Sequence, residues 1–94
     1  MSLDLSSVNI DFKNRRVLVT GAGKGIGRDT AVMLARYQAK VVAVSRTEAD
    51  LINLQDEIDC ETIIADLGDA AAAKQAAEQA GDIDLLVNNA ATAI

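Results

Sequence analysis

The chain has 94 residues, half of them apolar, with a formal charge of −5 from 9 basic and 14 acidic side chains. That length allows one small domain, and that apolar content excludes a charge-dominated disordered chain. A single cysteine, Cys60, and no histidine exclude a disulfide framework, Ser-His-Asp or Cys-His catalysis and multi-ligand zinc sites.

Residues 1–14 read as a polar lead-in. They lack the basic region and apolar core of a secretory signal, and Asp4 and Asp11 argue against a mitochondrial presequence. Arg16-Val17-Leu18-Val19-Thr20 is a short β-branched run and predicts a buried strand. Glycines crowd 21–27. A helix follows, with Ile26, Met33, Leu34 and Tyr37 expected on its apolar face. Lys40-Val41-Val42-Ala43-Val44-Ser45 predicts a second strand. Thr47 looks like a helix cap, with Asp50 in a capping-box-like place three residues on. Leu51, Leu54 and Ile58 supply that helix's stripe.

Thr62-Ile63-Ile64-Ala65 predicts a third strand. Asp69 is the expected cap of a third helix, whose face of Ala73, Ala76, Ala77 and Ala80 suits close packing on a sheet. Residues 84–88 predict a fourth strand, and 89–94 are too short for another element. The order β-α-β-α-β-α-β, with continuous apolar strands, implies a Rossmann-like α/β fold: a doubly wound parallel sheet covered on both faces. A fourth strand with nothing after it leaves an open edge. The chain therefore reads as the N-terminal part of a larger domain.

The strongest local signal is Thr20-Gly21-Ala22-Gly23-Lys24-Gly25-Ile26-Gly27, between a strand and a helix. Helix N-terminal N–H groups and the helix dipole favour an anion there, and glycines let the backbone approach it. The spacing G-x-x-x-G-x-G differs from G-x-G-x-x-G, and no Gly-Lys-Ser/Thr closes a Walker A loop. The bland alternative is a glycine turn serving only helix–strand packing. Ser45-Arg46-Thr47 ends the second strand, where an NAD site usually places a carboxylate. A carboxylate there repels a 2′-phosphate, whereas Arg46 pairs with one and the Ser45 and Thr47 hydroxyls donate. Lys24 adds a second cation. The expected cofactor is NADP(H).

Asp66 and Leu67 follow the third strand, facing the same crevice. Asp66 either accepts from the adenine amino group or caps its own loop. Asn88, Asn89 and Ala90 end the fourth strand, with a partly structural role. Residues 1–47 carry a net +5 and residues 48–94 a net −10. The basic half suits an anionic small ligand, or is simply an uneven solvated surface. The acidic total and two aromatics, Phe12 and Tyr37, argue against nucleic acid. No run approaches the ~20 apolar residues of a membrane span. A lone thiol, expected to be buried and inert, suits a reducing, cytoplasmic setting.

These pieces resemble the short-chain dehydrogenase/reductase family. TGAGKGIG matches its T-G-x-x-x-G-x-G loop, Asp66 its residue after the third strand, and NNAA its N-N-A-G signature, with Ala91 departing from glycine. RRVLVTGAGKGIGRDT, VVAVSRTEADL, ADLGD and DLLVNNAA are similar to its dicarbonyl/L-xylulose and tetrameric carbonyl reductase branch. The resemblance covers about residues 13–93. It implies an NADPH-dependent reductase of a small-molecule carbonyl, with cofactor contacts at Gly21, Gly23, Lys24, Gly25, Ile26, Gly27, Ser45, Arg46, Thr47, Asp66, Leu67, Asn88 and Ala90.

In the family, an Asn, a Ser and a Tyr-x-x-x-Lys further along the chain perform the reduction, and downstream helices build the oligomer. Tyr37 is followed four residues later by Val41, so no catalytic residue is assigned. The expectation is a cofactor-binding segment, residues 15–94, inactive alone. Homo-oligomers are expected only of a full-length enzyme. The alternative is a non-catalytic NADP(H)-binding short form or an inactive truncation.

Overall fold

A computed structural model describes residues 12–89 of the chain. Its elements are β1 (Arg16–Thr20), α1 (Gly25–Arg36), β2 (Lys40–Ser45), α2 (Glu48–Gln55), β3 (Cys60–Ile64), α3 (Ala70–Ala80) and β4 (Leu85–Val87). The four strands form one parallel sheet in the order β3-β2-β1-β4. Chain order runs outward from β1 to β3, then α3 crosses back and places β4 on the other side of β1. The strand order therefore reverses between β1 and β4, the switch point of a doubly wound sheet.

Alternation along the strands divides the core between two faces. Val17, Val19, Val41 and Ala43 pack with Ala31 and Leu34 of α1 and with Leu51 and Leu54 of α2. Val42, Val44 and Ile63 pack with Ala76 and Ala80 of α3 on the opposite face. Val17, Val19, Val41, Val42, Val44, Leu51 and Leu54 are the largest fully buried side chains. Each contributes about 1.5–3 kcal/mol on burial. The expected fold class and element order are both observed.

Several local expectations are corrected. Ile26 is 48% exposed, and Tyr37 is the C-cap of α1, 38% exposed and edge-on to Phe12. The buried face of α1 is Gly27, Thr30, Ala31, Val32 and Leu34. Small residues let this helix approach the sheet closely, and a periodicity built on large apolar residues misses that face. β3 begins two residues earlier than predicted, because Cys60 and Glu61 pair with Val41 and Val42. Ala65 lies past the strand.

Ile58 lies beyond the end of α2 and is half-buried. In α3 only Ala76 and Ala80 are buried. Leu85 and Leu86 of β4 are 45% and 56% exposed, so cover on both faces is incomplete there among the described residues. The capping box at Thr47 is absent: its side chain makes no cap hydrogen bond. Asp69 does cap α3, accepting from the Ala71 N–H at 3.0 Å.

Candidate functional site

The carboxyl ends of the four strands bring most of the predicted residues to one rim. β1 ends at Thr20, and the loop into α1 turns through Gly21 and Gly25, with φ of 61° and 58°. That region is cheap only for glycine. A Cβ on Gly27 would lie 2.0 Å from the Gly21 carbonyl oxygen, whereas one on Gly25 meets nothing within 4 Å. The loop is thus close-packed on its inner side and open on its outer side. The Ala22 N–H donates to the Val44 carbonyl at 3.0 Å, which ties the loop to β2. Lys24 is the N-cap of α1 but provides no side-chain cap, and the first turn holds no acidic residue. The positive end of the helix is left uncapped by side chains.

Ser45 ends β2, and its Oγ accepts the Thr47 N–H at 3.2 Å. Arg46 and Thr47 are exposed, and Arg46 makes no ion pair among the described residues. Lys24 Nζ lies 3.9 Å from Asp50 Oδ2. Gly23 is buried, and a Cβ there would sit 2.8 Å from Ser45 Oγ and 2.9 Å from Asp50 Cβ.

After β3, Asp66 Oδ1 accepts the Gly68 N–H at 2.9 Å, and the Asp66 carbonyl accepts from Asp69 at 3.0 Å. Loop capping is therefore realised at Asp66, whose carboxylate retains further acceptor capacity. Leu67 turns inward and packs against the α3-side core. After β4, Asn88 Oδ1 accepts from the Thr20 hydroxyl at 3.1 Å, and that hydroxyl accepts the Asn89 N–H at 2.8 Å. Thr20 thus braces the switch point between β1 and β4. Ala90 lies outside the described residues.

Sequence reasoning missed Thr20, Asp50 and Ile64 as rim residues. Thr20 was legible as the residue opening the glycine loop. Asp50 fits half of a capping box in the local pattern, which conceals its place at the rim. Ile64 pairs with Ser45 and is 55% exposed, which places an apolar surface beside the polar end of β2. Only register could have located it.

Cys60 stands at the opposite, amino end of the sheet. It is half-buried and lines an open groove of about 600 Å³ with Val32, Ala35, Ala39 and Ile58 among others. Burial, and secondarily the Asp59 charge, push its thiol above the ordinary cysteine range. Cys60, expected to be buried, is only partly so. Among the described residues no helix is long and apolar enough to cross a membrane.

An open parallel sheet with helices on both faces and a glycine loop at its switch point defines a doubly wound, Rossmann-like α/β protein. Residues 15–94 match the family model described as short chain dehydrogenase. The chain belongs to that family, whose members use nicotinamide cofactors.

It is 57% identical over 81 residues to an L-xylulose reductase of Homo sapiens, covering 85% of this chain and 33% of that protein. It is 50% identical over 88 residues to carbonyl reductase (NADPH) 2 of Sus scrofa, covering 93% and 36%. A solved structure described as a short chain dehydrogenase/reductase family protein superposes with a TM-score of 0.82 at 34% identity, covering 88% of this chain and 36% of the other. The chain spans about a third of the length of the curated relatives it matches.

Proposed function

We propose that residues 15–94 form the NADP(H)-binding N-terminal portion of a carbonyl reductase of the L-xylulose/dicarbonyl type. The observation that carries the reading is the uncapped N-terminus of α1 at the switch point, with Lys24 at its start and the end of β2 packed against Gly23 at Ser45. The donor set fits a dinucleotide. The loop is open outward at Gly25, and first-turn N–H groups suit a pyrophosphate. Gly21, Gly23, Ile26 and Gly27 shape that cradle. Arg46 and Lys24, with the Ser45 and Thr47 hydroxyls, suit a 2′-phosphate.

Asp66 and Leu67 border the adenine end, with Ile64 as an apolar floor. Asn88 borders the end nearest the reacting ring, and Ala90 is proposed as a cofactor contact from the family's N-N-A-G signature alone. When bound, the reduced nicotinamide supplies hydride to a carbonyl carbon. This chain's own residues bind and orient, and no catalytic side chain is assigned among them. A small-molecule carbonyl substrate is proposed for the whole protein, in line with the names of its relatives. The single thiol is consistent with a reducing cytoplasm.

The test is fluorescence titration of the chain with NADPH and NADH, with and without Arg46→Asp. The expected result is tighter binding of NADPH, and a loss of about tenfold or more for NADPH against little change for NADH in the variant. Equal effects on the two cofactors would sink the assignment of Arg46.

A further inference from the structure

The phosphate subsite proposed above contains a group of the wrong sign. Asp50 is the third residue of α2 and is expected to pair reciprocally with Thr47. Instead Thr47 makes no side-chain cap, and Asp50 turns to the glycine loop. Its Cβ and Oδ2 stand 2.9 and 3.2 Å from where a Cβ on Gly23 would be. That contact gives Gly23 a reason to be glycine other than a ligand. Lys24 Nζ is 3.9 Å from Oδ2, with the lysine side chain 82% exposed and the aspartate 23%.

The two partners differ in freedom. A long, exposed lysine held by a weak surface pair changes partner readily. Asp50 is half-buried and short, and its helix holds its Cβ beside Gly23, so it has far less freedom to leave than the lysine. An incoming dianion can take Lys24 from Asp50, but it then meets a carboxylate that stays. Glu48, in the same first turn, is exposed and better screened.

Resting on the reading of Lys24 and Arg46 as a 2′-phosphate site, we propose that Asp50 is a specificity-determining residue of that site. It parks Lys24 across the glycine loop in the free chain and holds down affinity for the 2′-phosphate. Selectivity for the phosphorylated cofactor is thereby set by a difference between Arg46 and Lys24 on one side and Asp50 on the other.

The test is calorimetric titration of the chain with 2′,5′-ADP and with 5′-AMP, which differ only in the 2′-phosphate. Asp50→Asn is expected to tighten 2′,5′-ADP by about threefold to tenfold and to leave 5′-AMP within about twofold. In a Lys24→Met background the gain should shrink, because the two residues act as a pair. Asp50→Ser, a neutral residue compatible with a helix start, repeats the test if the Asn variant folds poorly. No tightening, or tightening of both nucleotides alike, overturns the role of Asp50 while leaving the cofactor reading intact. Wild-type chain that binds 2′,5′-ADP no better than 5′-AMP overturns the cofactor reading and this inference with it.

Discussion

The two ends of the sheet are built on opposite principles. At the amino end, Arg16 opens β1 and binds almost everything around it. Its guanidinium donates to the Ala80 carbonyl at 2.6 Å, to the Asp82 carbonyl at 3.0 Å and to the Glu61 carboxylate. Its backbone N–H donates to Asp84 Oδ2 at 2.8 Å. One side chain thus joins β1, β3, the C-terminus of α3 and the turn into β4. At the carboxyl end, the uncapped start of α1 and the exposed Arg46 face solvent. The side-chain cross-links there are those Thr20 makes to Asn88 and Asn89, beside backbone bonds from Ala22 to Val44 and from Ala65 to Ser45. Satisfied charge at one end fixes the strands, and unsatisfied donors at the other leave a rim that can receive a ligand.

The glycine loop is where this contrast breaks most completely. Gly27→Ala places a Cβ 2.0 Å from the Gly21 carbonyl oxygen and 2.7 Å from Asn89 Nδ2. The first neighbour is backbone and cannot step aside, so α1 must lift from the loop. A loss of about 3 kcal/mol in urea unfolding is expected, together with loss of nucleotide binding. A stable Gly27→Ala chain that binds normally contradicts the close packing of loop and helix.

The amino end should respond in the opposite way. Arg16→Leu removes three guanidinium bonds and leaves the Ala80 carbonyl at the end of α3 to find water. The partly exposed setting limits the cost to about 1–2 kcal/mol. Nucleotide affinity of the folded fraction should be unchanged, since nothing at the carboxyl rim touches Arg16. A variant that keeps its stability but loses nucleotide would mean the two ends are coupled.

How far the sequence already contained this division differs between the ends. The Val-rich strands, the glycine loop and the Ser45-Arg46-Thr47 corner are written in local pattern, so the fold and half of the rim were legible. What stayed hidden depends on pairs distant in the chain. Arg16 reads as an ordinary charged residue until topology brings residues 61, 80, 82 and 84 to it. Ile64 reads as core until its pairing with Ser45 puts it at the rim. Asp50 satisfies a local capping pattern, yet tertiary contact with Gly23 takes it elsewhere. The face of α1 hides for a related reason: Gly27, Thr30 and Ala31 pack against the sheet as small residues, and hydrophobic periodicity gives small residues little weight.

Cys60 offers the finest test of the amino end. Burial chiefly, and Asp59 next, raise its thiol above the ordinary cysteine value. The thiolate is the reactive species, so alkylation of the folded chain by iodoacetamide should be slow at pH 7. Its rate should rise with pH to a midpoint above that of the denatured chain. Asp59→Asn should lower that midpoint only in part, because burial is the larger cause.

Stability carries the same sign. The folded state holds the thiol proton more tightly than the unfolded state does. The stabilisation is therefore whole below the unfolded thiol pKa and is lost as pH climbs through the higher folded value. Unfolding midpoints measured across that alkaline range should fall more steeply for the wild-type chain than for Cys60→Ala. Equal slopes, or a folded midpoint below the denatured one, would place Cys60 in a more open and more basic setting than the groove between α1 and β3 provides.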